Sequence, residues 1–246
     1  MTRRIKFRIK KVWEAVALVS LELVLVFIAF VISLSVLIVV IREIFYNKDF
    51  SVDEQVFEYM QHHVTDTNTA IMQGASFMGS RLVLVPAWLL LVVVFYFIEK
   101  NKWYVIKVIT ISLSTLLLML GLKYFFNRPR PLIPLLKQVP GLSFPSGHAF
   151  MSFVFYGMLV YIVYIEVKSK WVKAFLFFLL TVITFSIGLS RVYLRVHYAS
   201  DVIAGFCFGL LSLIILLWLL RRIEKYNEKV IAPSVNTTQA EHKSVL

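Results

Sequence analysis

The sequence predicts an all-α membrane protein: six transmembrane helices in a bundle, both termini cytoplasmic, and a short amphipathic helix in the outer segment between spans one and two. Three observations carry this. Six apolar runs each approach the length a bilayer core requires at about 1.5 Å per residue. Hydrophobic residues make up 59% of the 246 positions and charged residues 16%, well under the roughly 25% of an ordinary soluble domain. Lys and Arg also divide unequally between the two sides that the runs define.

The chain opens with Arg3, Arg4, Lys6, Arg8, Lys10 and Lys11 before the first run, Ala15–Ile41. A cleaved signal peptide starts similarly, but its apolar region is only about 7–15 residues and ends at a small-residue site. This run is longer and has no clear cleavage site, so a retained span is expected. It contains Glu22. That carboxylate is either functional or, because the run has length to spare, set at the inner headgroups. In the next segment, Ser51-Val52-Asp53-Glu54 has capping-box spacing, and Val52, Val56, Phe57 and Met60 follow at helical spacing. These predict the short interfacial helix.

The second run, Leu82–Ile98, contains Pro86, which predicts a kink or local break. Trp103–Leu122, Ser146–Ile165, Trp171–Leu189 and Val202–Leu220 complete the six. None alternates apolar with polar as a barrel strand would, so helices are the expected form. The organisation is a basic cytoplasmic segment over 1–14, a six-span domain over 15–225 and a polar cytoplasmic tail over 226–246. The tail contains Pro233 and is expected to lack fixed structure. There is no internal repeat.

With the N-terminus inside, inner segments hold 17 Lys and Arg and outer segments hold 9. The bias satisfies the positive-inside rule. The net charge of +12 is therefore assigned to orientation and anionic headgroups, and no nucleic-acid partner is expected. The single cysteine, Cys207, lies in an apolar run and has no partner for a disulfide or a thiolate metal site.

The outer charges cluster in three pieces. Lys123 and Arg130 lie in Lys-Tyr-Phe-Phe-Asn-Arg-Pro-Arg-Pro131 at the end of span three, as phosphate ligands or as snorkelling interfacial cations. Phe144-Pro145-Ser146-Gly147-His148 opens span four. There Ser146 is a natural N-cap, Gly147 allows close backbone approach, and the exposed N–H groups of a helix start favour an anion. His148 stands in that first turn, as a proton-exchanging group or as an ordinary interfacial histidine. Ser190-Arg191 precedes His197 and Asp201, four residues apart and on one face if helical. An aspartate on one imidazole nitrogen leaves the other as nucleophile or base; a structural interface pair is the alternative. Arg191 adds a planar cation suited to phosphate oxygens. Each piece has an ordinary reading alone, but the orientation brings all three to one side.

Together these residues resemble the signature of the type 2 phosphatidic acid phosphatase superfamily. That signature is Lys, six residues, Arg-Pro; then Pro-Ser-Gly-His; then Ser-Arg, five residues, His, three residues, Asp. It is met by Lys123 with Arg130-Pro131, by Pro145-Ser146-Gly147-His148, and by Ser190-Arg191 with His197 and Asp201. The motifs span about a third of the chain, and the six-span layout extends the likeness over most of the rest.

The resemblance implies a membrane phosphatase in which His197 attacks phosphorus and Asp201 orients it. His148 protonates the leaving oxygen and later activates water. Lys123, Arg130 and Arg191 would neutralise the phosphoryl oxygens, with Ser146 and the Gly147 N–H adding hydrogen bonds. No metal or other cofactor is implied. The implied partner is a lipid phosphate held in the bilayer, with the site at the outer face of the cell membrane. Tyr124, Phe125, Phe126 and Leu132–Leu136 are candidates for the access surface, or an ordinary aromatic belt and loop. Phosphatidylglycerol phosphate, undecaprenyl pyrophosphate and phosphatidic acid are candidate substrates. A lipid phosphotransferase using the same site is the nearest alternative. A transporter or scaffold is further away, because the strong charges avoid the midplane and the catalytic set is complete.

Overall fold

The structure, a computed structural model, describes residues 2–136 and 139–231, with side chains described over 21–136 and 139–229. The side chains of the six N-terminal basic residues, Lys137, Lys243 and the tail beyond 231 lie outside the described residues. Eight α-helices, and among the described residues no strand, build the chain: α1 Thr2–Ile41, α2 Ser51–Gln61, α3 Asp66–Met78, α4 Arg81–Val93, α5 Lys102–Phe126, α6 Gly147–Glu166, α7 Lys170–Tyr193 and α8 Ala199–Tyr226. α1, α4 and α8 run on into π-helical turns at Arg42–Asn47, Val94–Ile98 and Asn227–Ile231. Six stretches are long and apolar enough to cross a membrane, as expected from the sequence.

The second span differs from the expectation. It runs over Asp66–Ile98 rather than starting at Leu82, because α3 leads into α4 through a short turn at Gly79 and Ser80. α3 contains Gln73, Gly74 and Ser76, so it has no long apolar run to announce it. Its start is capped by the Thr65 hydroxyl, which accepts from Asn68 N–H at 3.1 Å. Helix α4 is continuous through Pro86, with no break. The short helix α2 is present, but its N-cap position is Phe50, whose side chain makes no capping bond, and Asp49 Oδ1 just before it accepts from Ser51 N–H at 2.9 Å. Ser51 is already the first helical residue, one position later than a capping role requires.

Helices α6 and α8 form the centre of the bundle. α7 packs on α6, α1 on α8, α3 on α7, and α5 and α4 close the far side. The main core gathers Trp88, Ile111, Phe150, Val154, Met158 and Ile187. Small residues let α6 and α8 approach closely: a Cβ at Gly205 would lie 3.0 Å from both the Ala149 Cβ and the Ser146 carbonyl oxygen. Phe144, fully buried, packs edge-on against Phe45 and Phe126 between α1 and α5.

Six crossings leave the start of α1 and the end of α8 at one end of the bundle, with α2 at the other. The end away from α2 carries its own polar cluster. Lys107 is buried and paired with Glu224 at 2.7 Å, while Tyr104 Oη donates to Glu166 at 2.7 Å. Glu22 accepts from Tyr164 Oη at this same end.

Candidate active site

All three sequence pieces meet at the α2 end, held by the ends of four helices. Asn127, in the left-handed region at φ 44°, stops α5 one turn after Lys123. Lys123 Nζ donates to the Leu142 carbonyl at 2.6 Å. Ser146 caps α6 as expected, its Oγ accepting from Ala149 N–H at 3.5 Å. Ser146 is fully buried, and its own N–H donates to the Asp201 carbonyl at 3.0 Å. That bond fixes the start of α6 against the start of α8.

The expected helical pairing of His197 with Asp201 is not how the two meet. α7 ends at Tyr193 and α8 begins at Ala199, so His197 lies in the intervening turn. Arg195 at φ 54° folds that turn back, and the Val196 and His197 N–H groups both donate to the Arg191 carbonyl at 3.2 Å. Asp201 is in the first turn of α8, and its Oδ2 accepts from Tyr198 N–H at 3.0 Å. The imidazole therefore reaches the carboxylate across a turn. His197 Nδ1 is 3.5 Å from Asp201 Oδ2 and 3.3 Å from Ser143 Oγ, and Ser143 Oγ donates to the same Asp201 oxygen. Ser143 thus touches both groups from the side of their contact.

The other ring nitrogen faces a cation: Arg130 Nη1 is 3.3 Å from His197 Nε2 while donating to the Val196 carbonyl at 2.9 Å. Arg130 Nε donates to the Gly141 carbonyl at 3.1 Å. His197 is 1% exposed. Burial pushes its pKa down to about 4, with Arg130 and Lys123 acting in the same direction and Asp201 opposing them. The ring is thus neutral at physiological pH, with Nδ1 facing acceptors and Nε2 free to present a lone pair. Burial also lowers the Arg130 pKa, but an arginine stays charged throughout.

His148 sits within electrostatic range of Arg191, His197, Arg130 and Arg81. Gly79 packs beside it: a Cβ there would lie 3.4 Å from His148 Cδ2 and only 2.4 Å from Ile187 Cγ2. Arg191 is 6% exposed and held by one bond, Nη1 to Ser76 Oγ. Its buried Nε has no hydrogen-bond partner among the described residues, which leaves a donor available to an oxyanion. Three cations, two histidines and one carboxylate thus converge. Among the described residues no group of three or more His, Cys, Asp or Glu side chains is arranged to hold a metal. A cavity of about 420 Å³ opens beside the cluster, lined by Arg130, Pro131, Leu132, Pro134, Arg195 and Val196 among others. Leu132 and Pro134 belong to the expected access loop, while Tyr124 and Phe125 point outward, exposed.

Sequence reasoning missed Arg128, Asp53, Ser143 and Ser76. Arg128 Nη1 donates to Asp201 Oδ1 at 2.6 Å and its Nη2 to Asp53 Oδ2 at 2.8 Å. Arg128 lies within the first motif, between Lys123 and Arg130, but at none of its signature positions. Buried polar residues joined across some 75 positions have no periodic signal.

The PAP2 superfamily profile matches residues 103–225. The phosphatidylglycerophosphatase B of Bacillus subtilis is 29% identical over 161 residues, covering 65% of this chain and 78% of that protein. A bacitracin transport permease protein, BcrC, of Bacillus licheniformis is 29% identical over 112 residues, covering 42% of this chain and half of that one. Among solved structures, the transmembrane PAP2-type phosphatidylglycerolphosphate phosphatase of Bacillus subtilis superposes with a TM-score of 0.71 at 25% identity, covering 79% of this chain and 96% of that chain. Aquifex aeolicus LpxE superposes with a TM-score of 0.55 at 28% identity, covering 69% and 97%. With the profile spanning half of its length, the chain belongs to the PAP2 superfamily and is a multi-pass membrane lipid phosphatase of that family.

Proposed function

We propose that the chain hydrolyses a phosphomonoester or pyrophosphate headgroup at the outer face of the membrane through a phosphohistidine on His197. The observation that carries this is the two-sided environment of that ring. One nitrogen faces the Ser143–Asp201 pair and the other faces Arg130. His197 Nε2 attacks phosphorus, and the positive charge that develops on the ring is stabilised by Asp201. Lys123, Arg130 and Arg191 take up the phosphoryl oxygens, with Arg191 Nε supplying a donor that has no other partner among the described residues. The Gly147 N–H adds a contact at the start of α6, while Ser146 serves mainly as its cap. His148 gives a proton to the leaving oxygen and then takes one from the attacking water, so the bond to the leaving group breaks first and the P–N bond breaks second. A lipid would keep its tails in the bilayer while its headgroup lies in the cavity beside Arg130. The six-span unit over 15–225 holds all of these parts.

Phosphatidylglycerol phosphate is the first substrate to test, because the relatives with the broadest match carry that activity in their names. Undecaprenyl pyrophosphate and phosphatidic acid complete the panel. Purified protein in EDTA should release phosphate from at least one of these, and His197→Ala should release none. Loss of release in EDTA with recovery in magnesium would replace this mechanism by a metal-dependent one. Transfer of the phosphoryl group to a second lipid instead of water would make the chain a transferase.

A further inference from the structure

We propose that Arg128 is a positioning residue: it fixes the Asp201 carboxylate against His197 and, through Asp53, ties that geometry to helix α2. The inference rests on the reading of His197 as the nucleophile. Arg128, Asp53 and Asp201 are 5%, 2% and 0% exposed. One buried cation therefore lies between two buried carboxylates, an arrangement that is costly unless every member is bonded. Every member is. Arg128 Nη1 holds Asp201 Oδ1 at 2.6 Å and Ser200 Oγ at 2.8 Å, and Nη2 holds Asp53 Oδ2 at 2.8 Å. The Tyr198 ring covers the guanidinium at 4.0 Å, and the Phe50 ring lies at 5.5 Å.

The division of oxygens on Asp201 gives the arrangement its consequence. With Oδ1 held by Arg128, Oδ2 is the oxygen turned to His197, Ser143 and the Tyr198 N–H. Arg128 thereby sets the rotation of the carboxylate without approaching the reacting nitrogen, which Arg130 faces instead. Asp53 reaches in from α2 and serves the first turn of α8. Its Oδ1 accepts from Ser200 N–H at 2.9 Å and its Oδ2 from Ser200 Oγ at 2.6 Å. Those are acceptors that a helix start needs and does not supply itself. The chain of contacts runs from α2 through Asp53, Arg128 and Asp201 to His197, and its first two members, Asp53 and Arg128, are used by no other part of the proposed mechanism.

The test is the single-turnover rate constant for phosphoenzyme formation, together with kcat and KM, on the full-length protein in micelles of the best lipid substrate. A rate constant, unlike an amplitude, does not fall when part of the sample is misfolded. Arg128→Gln should slow phosphorylation about 10- to 100-fold, the usual range for loss of a supporting partner. KM should stay within about threefold, because substrate is not touched. Asp53→Asn should give a smaller loss of the same kind, and should add nothing in the Arg128→Gln background, because both act along one path. Arg128→Lys keeps the charge but cannot bridge two carboxylates as a fork does, so it too should lose rate with KM held. If Arg128→Gln does not fold, Arg128→Lys and Asp53→Asn carry the same criterion. A raised KM with an unchanged rate constant would make Arg128 a phosphate ligand, and losses that multiply would sever α2 from the path; either result overturns the proposal. His197→Ala is measured alongside: turnover surviving there refutes the nucleophile assignment, an outcome separate from anything Arg128 does.

Discussion

His197 and His148 lie within electrostatic range of each other but are expected to fail differently when removed. His197→Ala deletes the nucleophile, so no phosphoenzyme should form. His148→Ala leaves the nucleophile and removes the proton donor, worth about 10²–10⁴-fold in such sites. The loss in the first step should be smaller on p-nitrophenyl phosphate, whose leaving group needs little protonation, than on a lipid monoester. Because water activation also uses His148, phosphoenzyme should accumulate in that variant, and acid-labile phosphate on the protein measures it. Trapping by His197→Ala instead would exchange the two roles. The pKa of His197 adds a pH signature. An ordinary imidazole with a pKa of about 6.5 would lose roughly tenfold of its neutral form at pH 5.5. With burial holding the pKa near 4, the neutral nucleophile persists there. The phosphorylation rate of the wild type should therefore not fall between pH 7 and 5.5.

At the scale of elements, the site depends on how closely α6 and α8 approach. Gly205 is the tightest point that involves backbone: a Cβ there would meet the Ser146 carbonyl oxygen at 3.0 Å and the Phe150 nitrogen at 3.2 Å. Backbone cannot rotate away as a side chain can, so Gly205→Ala should push the helices apart and stretch the Ser146 N–H to Asp201 bond. Overpacking of this kind costs about 1–3 kcal/mol, seen as a lower thermal midpoint, and activity should fall with it. Gly74→Ala in α3 is the control. Its Cβ meets nothing within 4 Å, so helix propensity alone applies and the midpoint should hold or rise. An unchanged Gly205→Ala enzyme would mean the helices have slack here. Periodicity and apolar length made the spans and α2 legible in the sequence, and the order of the three motifs made the six central site residues legible. The extent of the second span was not legible, because α3 earns its place by packing on α7 and by Ser76 bonding Arg191, both tertiary facts. Nor was the route between His197 and Asp201. A spacing of four suggests one helix face, but the left-handed Arg195 turns His197 back and Ser143 bonds both side chains from a third segment, which makes a different contact.

For the whole molecule, the question is which end of the bundle faces out. Long apolar side chains such as Leu89, Leu117 and Phe178 are exposed along the spans, the pattern of a surface turned to lipid, and that pattern is the same in either orientation. Charge breaks the symmetry. The end away from α2 carries Lys100, Lys102, Lys168, Lys170, Arg221 and Arg222, and the sequence assigns 17 basic residues to that side against 9 to the other. Five of the smaller group are also committed: Lys123, Arg128, Arg130, Arg191 and Arg195 bond to protein groups, which leaves fewer cations there to be held by anionic headgroups. Both points support the proposal that the α2 end faces outward. Leu132→Cys, in the exposed loop beside the cavity, and Lys168→Cys, in the turn between α6 and α7, test this one at a time, with the buried Cys207 as an internal control. A membrane-impermeant maleimide applied to intact cells should label Leu132→Cys at once and Lys168→Cys only after lysis. Reversed labelling would turn the site to the cytoplasm and limit it to headgroups of the inner leaflet, where a pyrophosphate carrier lipid discharged at the outer face could not reach it.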